Sequence, residues 1–412
     1  ETSELFEPLD VVVSAVGSPL QPVSRQAAIR TQSPVRIFRF IAEFLSFENR
    51  LPLYPKWEKD ATVSPGIFLI KNSYTSLYSR GDLPNCRTHS GSPYRERKRR
   101  TMKFYPEGHL LDTFENRAAT QSPASLAEAM RDGKILEAKA IMCDSKHNLI
   151  VDFKFMRGVI PREEGAIGIR DGSVRDIAIL SRVNRPVCFL VQDFIRDEYG
   201  RITALLSRRA AQEKCREEFI CSLTPGDVLD ARITHIEPFG VFADIGCGIV
   251  SLLPIDSISV SRIEHPRERF LVGMDIRALV KCRDRSRVTL SHKELLGTWE
   301  ENAARFRPGE TVGGIIRSIE SYGVFVELTP NLAGLAELKE NVFPGQQASV
   351  FIKSILPVRM KVKLIIIETF DGERRKPAPP TYFFQGDHMD EFVYSPVPCE
   401  KHIVTHFREL HL

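Results

Sequence analysis

Two tetrapeptides hold the side chains whose type and spacing suggest a chemistry: Phe239-Gly240-Val241-Phe242 and Tyr322-Gly323-Val324-Phe325. Aromatic residues three apart would lie on opposite faces of a regular strand, because side chains alternate. A strand that begins beside the first ring, with glycine permitting a bend, brings both rings to one surface and turns Val241 and Val324 inward. Two exposed rings on a curved sheet form a platform on which nucleic-acid bases stack, at ~1–3 kcal/mol per base and with little regard to sequence. Cations accompany both pairs. Arg232, Lys281, Arg283, Arg285 and Arg287 fall around the first, and Arg317, Lys353, Arg359, Lys361 and Lys363 around the second. A lone F-G-V-F would be core. Its repetition, with glycine between the rings and basic residues following, points to single-stranded RNA.

The elements that must position these rings repeat as well. At an offset of 83 residues, Pro225-Gly226 matches Pro308-Gly309, Ile233 matches Ile316, Ile236 matches Ile319 and Leu252 matches Leu335. The second halves align at an offset of 72, Gly273 with Gly345 and Lys281 with Lys353. The difference falls between strands, where insertions are tolerated. Upstream, Ile135–Ala138, Leu149–Phe153, Val187–Val191 and Ile202–Leu206 alternate as strands of a further unit. The expected units are therefore 133–207, 225–291 and 308–369. A charged helix at 208–220 joins the first two. Between the last two, a capping box at Ser291 and Glu294 opens a helix carrying Leu295, Leu296, Trp299 and Phe306. Residues 102–132 form an extension with a short helix capped by Ser122-Pro123. The tail, 370–412, has Pro377, Pro379 and Pro380, lacks a clear period, and is expected to be disordered or loosely attached.

Residues 1–101 differ in character, with short apolar bursts and a basic run, Arg95-Glu96-Arg97-Lys98-Arg99-Arg100. They are expected to be a disordered basic arm or a stretch outside the functional unit, such as a read-through of an upstream frame. The chain has 57 Lys+Arg against 53 Asp+Glu; 15 against 10 lie in 1–101, leaving 42 against 43 for the remainder. Bulk charge therefore gives the main body no attraction for nucleic acid, and binding must rest on local faces. The 8 cysteines are scattered with no C-x-x-C pair, which fits free thiols in a reducing cytoplasm. No apolar run reaches the ~18 residues of a membrane span.

The pattern P-G-x-V, then I-x-x-F-G-V-F-x-D-I-G, V-S-L-L-P, V-G-x-D-I and R-V-T-L-S-H-K, resembles the S1 RNA-binding domain, an OB-type barrel. Its tandem use with helical linkers resembles the bacterial small-subunit ribosomal S1 family. The resemblance is strong over 225–306, good over 308–368 and weaker over 133–207. It implies a mainly β chain of tandem five-stranded OB-fold barrels joined by short helical linkers. It also implies a non-catalytic role in translation, with mRNA and the small ribosomal subunit as partners and no cofactor, metal, membrane or small-molecule substrate. In the family a His on the third-strand loop, an Asp and an Arg complete the RNA face. Here Pro254 and Glu337 stand at the His position, Asp284 near the Asp position, and Arg287 and Lys361 at the Arg position. The first unit has Lys146-His147-Asn148 where the rings should be, which suits a docking or spacing barrel.

Alternatives remain at this level. The barrels could be the accessory RNA-binding part of a ribonuclease or other RNA-processing system, or protein-docking modules. No phosphate-binding loop, G-x-S-x-G or H-E-x-x-H occurs. Cys399, His402, His406 and His411 come nearest to a metal set, with His402 and His406 on one helix face, but a second cysteine is missing. His235 and His292 are expected to be polar surface residues, Trp299 to be packing, and Asp244 to be a structural or RNA-facing acid.

Overall fold

The computed structural model describes residues 104–407 apart from 197, 285–286 and 372–376, so the expectations for 1–101 and for Arg285 lie outside the described residues. The chain is mainly β and builds three closed five-stranded barrels of identical connectivity. The first comprises β1 (Leu136–Cys143), β2 (Leu149–Asp152), β3 (Arg157–Ile160), β4 (Pro186–Arg196) and β5 (Ile202–Ser207). The second comprises β6 (Val228–Glu237), β7 (Gly240–Asp244), β8 (Val250–Pro254), β9 (Asp275–Asp284) and β10 (Arg287–Ser291). The third comprises β11 (Thr311–Glu320), β12 (Gly323–Thr329), β13 (Leu332–Ala336), β14 (Gln347–Leu356) and β15 (Lys361–Phe370). In each barrel the third and fifth strands pair in parallel and the other pairings are antiparallel. This is the closed OB arrangement, which leaves no sheet edge to protect.

Alternation along the strands supplies the cores. Val241, Ala243 and Leu253 line the second barrel, and Val324, Val326 and Leu364 the third. The first strand of every barrel carries an irregularity at the same place, Ala140/Met142, Ile233/His235 and Ile316/Ser318. Such bulges increase local twist and re-aim the next side chain. Here that side chain, His235 or Ser318, stands opposite the second ring of the tetrapeptide.

The first linker is the helix Arg208–Glu218, whose Ser207 hydroxyl accepts the Ala210 amide. The second differs from the single helix expected. Lys293–Leu296 is a 3-10 turn, Gly297 then takes φ +86°, and a separate helix, Trp299–Ala303, starts on its own capping box of Thr298 and Glu301. Ser291 hydrogen-bonds the Glu294 carboxylate at 2.5 Å instead of capping a helix. Trp299 is buried as packing.

Each later barrel grips what precedes it with the turn between its second and third strands. In the second barrel, the Cys247 carbonyl accepts from Gln212 on the first linker (3.1 Å) and from the Cys188 thiol of the first barrel (3.3 Å). In the third, the Asn331 amide donates to the Lys293 and Gly297 carbonyls and accepts the Val260 amide. The tail expected to be loose is instead a packed strap over 377–407. Its Met389, Phe392, Tyr394 and Phe407 enter the core that the third barrel shares with the second linker. A short ladder pairs β16 (Glu391–Val393) with β17 (Val404–His406). Tyr382 receives the Arg277 amide of the second barrel, and Tyr394 donates to the Asn331 carbonyl of the third. No helix among the described residues is long and apolar enough to cross a membrane.

Candidate nucleic-acid interface

The ring pairs repeat in three dimensions. Phe239 lies in the turn before β7 and Phe242 on the strand, with centroids 6.0 Å apart and planes at 85°. Tyr322 and Phe325 reproduce this at 6.1 Å and 89°. The leading rings protrude, Phe239 being 53% and Tyr322 67% exposed, while Phe242 and Phe325 are half-buried. The glycine between them is needed for close approach as well as bending. A Cβ on Gly240 would come within 2.5 Å of the Leu253 carbonyl oxygen, and one on Gly323 within 2.5 Å of that of Ala336.

Register defines the surroundings. Across the second barrel run His235, Phe242, Leu252, Thr289 and Cys282; across the third run Ser318, Phe325, Leu335, Lys363 and Ser354. His235 lies nearly parallel to Phe242, with centroids 6.4 Å apart at 30°, and is held by Glu237 at 2.5 Å. The surface position expected for His235 is thus part of the ring face. Lys363 shares the Phe325 row, and Lys361 is exposed two residues along the same strand face. The alternation of Lys361 and Lys363 with buried Val362 and Leu364 was the available signal.

The other expected cations divide. Arg287 is exposed, Arg283 and Lys281 are half-buried, and Lys281 donates to the Ser257 hydroxyl at 3.1 Å. Lys353 is exposed, with Glu337 at 4.0 Å. Two cations are held in ion pairs away from the rings. Arg232 forms a bidentate pair with Asp275 (2.7 and 2.9 Å) and donates to the Glu107 carbonyl, so it fastens the N-terminal extension. Arg317, its side chain 8% exposed, donates to Glu327 at 2.7 Å and pairs with Glu268 of the second barrel. It sits in the β11 bulge, which turns it into the contact between barrels.

Asp244 belongs to the structural alternative. Its carboxylate accepts the amides of Glu107, Gly246 and Gly248, fixing the turn that docks on the first barrel. Burial and the neighbouring Glu107 raise its pKa. Burial would also raise that of Glu107, but Arg208 and Arg182 override this and hold it low. His292 corrects its surface assignment. It is buried between the Ile258 carbonyl and the Tyr382 hydroxyl, and burial lowers its pKa to about 4. In the first barrel the ring positions are taken by His147, 3.2 Å from Asp176, and by buried Ile150. His406 lies on β17 beside Glu391, so the shared helix face with His402 does not form. Cys399 is buried, His411 is outside the described residues, and the described residues hold no cluster suited to a metal ion.

Residues 222–293 match the S1 RNA binding domain family. Small ribosomal subunit protein bS1 of Staphylococcus aureus (strain COL) is 28% identical over 271 residues, covering 61% of this chain and 66% of the relative. The bS1 protein of Rhizobium meliloti (strain 1021) is 28% identical over 244 residues, covering 55% and 42%. The chain thus spans slightly less than two thirds of the first relative and under half of the second. Among solved structures, a multidomain protein with nucleic acid binding domains from Streptococcus pneumoniae is 14% identical, covering 57% of this chain and 74% of that one, with a TM-score of 0.21.

Proposed function

We propose, from the premise that residues 222–293 form an S1 RNA-binding domain, that this chain binds single-stranded RNA without catalysis and presents mRNA to the small ribosomal subunit. The observation that carries the proposal is the second ring pair, Tyr322 and Phe325, which repeats the Phe239–Phe242 geometry outside the matched segment. Edge-to-face rings with one member protruding accept a base on the exposed face and back it with the other. Phosphates would follow the exposed cations, Arg287 in one barrel and Lys361 and Lys363 in the other. Each platform alone is weak, and the tether between them raises the effective concentration of the second site.

The first barrel supports a different role. Without rings at the two repeat positions, and with His147 paired to Asp176, it suits docking or spacing rather than base stacking. Titration of the full chain with a labelled single strand, and with a duplex of the same sequence, tests the main reading. Tight binding to the single strand is expected, and equal or stronger binding to the duplex overturns it. Co-sedimentation with small ribosomal subunits tests the context. A loss with rising salt supports RNA-mediated association, whereas persistence through RNase and high salt supports protein docking.

A further inference from the structure

Each stacking platform carries a carboxylate at the end of its first strand. Glu237 stands across from Gly240 and Glu320 across from Gly323, so the two acids occupy one position of the repeat. A carboxylate repels phosphate, and beside a bound strand it can accept only N–H or O–H donors. The two barrels treat this acid differently. In the second, His235 lies against Phe242 and holds Glu237 at 2.5 Å. In the third, Ser318 replaces that histidine and Glu320 is exposed at the rim. The nearby Glu337 is exposed with Lys353 at 4.0 Å. Lys363 lies in the Phe325 row, beyond Leu335. The third platform is therefore polarised, with a cation on one side of the rings and an acid at the hairpin end.

We propose that Glu320 is a specificity-determining residue that gives the third barrel a preference for guanine. This assignment rests on the RNA-binding reading and deepens it. A strand whose phosphates lie toward Lys363 turns its base edges toward Glu320. Guanine presents N1–H and N2–H side by side, matching the two oxygens of one carboxylate in a charge-assisted pair. Adenine and cytosine offer a single amine on that edge, and uracil a single N–H. In the second barrel the equivalent carboxylate is engaged by His235, so that platform stacks bases without this selection.

The test uses the full chain and two fluorescent oligouridylates, one with a central guanosine and one with inosine, which lacks the N2 amine. The guanosine oligonucleotide is expected to bind roughly tenfold more tightly. Glu320→Gln brings the ratio of the two affinities to about one. Ser318→His, which leaves the carboxylate but supplies the partner found in the second barrel, also lowers the ratio. Equal binding of both oligonucleotides by the unaltered chain, or an unchanged ratio in Glu320→Gln, overturns the assignment and leaves RNA binding standing. Failure to bind either oligonucleotide overturns the RNA-binding reading and the assignment with it.

Discussion

Arg317 donates its Nε to Glu327 at 2.7 Å inside the contact between the second and third barrels, where Arg269 also reaches Glu327 at 2.5 Å. All three side chains are largely buried. Removing one partner of a buried pair leaves a desolvated charge without its neutralising group. Arg317→Ala is expected to cost about 3 kcal/mol of stability, the lower end of that class because Arg269 remains. Urea denaturation checks it. RNA affinity measured on the folded variant should keep its salt dependence, since Arg317 does not face the rings.

Phe242→Ala combined with Phe325→Ala removes the strand-borne ring of both pairs while Val241 and Val324 keep the cores filled. A loss of ~1–3 kcal/mol per stacked base corresponds to a combined weakening of roughly thirtyfold or more. Fluorescence anisotropy with a single-stranded oligonucleotide reads this, and circular dichroism should show retained barrels. Unchanged affinity would refute stacking.

Lys361 and Lys363 lie exposed on one strand face, the second of them in the Phe325 row. If both contact phosphates, replacing both with alanine reduces the slope of log affinity against log salt by about 1.4, since each phosphate contact on a single strand contributes about 0.7. The same titrations on Arg232→Ala should show no comparable change in slope, because Arg232 is committed to Asp275 and Glu107.

The ring pairs and the barrels were legible in the sequence because strand alternation is a local signal and the repeat runs without a gap through the segment that carries the rings. Contacts across the chain were not. Arg317 and Lys363 are both cations on strands of the same closed barrel, and only the bulge and a partner 49 residues away separate an interbarrel anchor from a surface charge. His292 has Lys293 and Glu294 beside it in sequence, which suggests solvent, yet it is covered by Tyr382 from 90 residues away. The strap lacks period because its apolar residues join a core already built by the third barrel and the second linker instead of forming one face of an element of their own. Gly297 lies within the span expected to form one helix, and its positive φ of 86° divides the linker.

Glu137 gives the contact between the N-terminal extension and the barrels a pH dependence of definite sign. One carboxylate oxygen accepts the amides of Gly108, Leu110 and Leu111, while the other is buried without a hydrogen-bond partner. Burial, reinforced by the charge of Glu107, raises its pKa to about 7 despite those three bonds. A carboxyl group with a folded pKa above its unfolded value stabilises the fold most below the unfolded pKa. That contribution is lost as pH rises through about 7. Stability should therefore fall between mildly acidic and mildly alkaline pH, by on the order of 2–3 kcal/mol from this group. Glu137→Gln keeps an acceptor for the three amides and cannot ionise. It should make the fall shallower, leaving the share that the raised pKa of Asp244 contributes, and leave the variant more stable than the parent above neutrality. Thermal denaturation across this range checks it, and parallel pH profiles for the two proteins would show that Glu137 does not carry the proton.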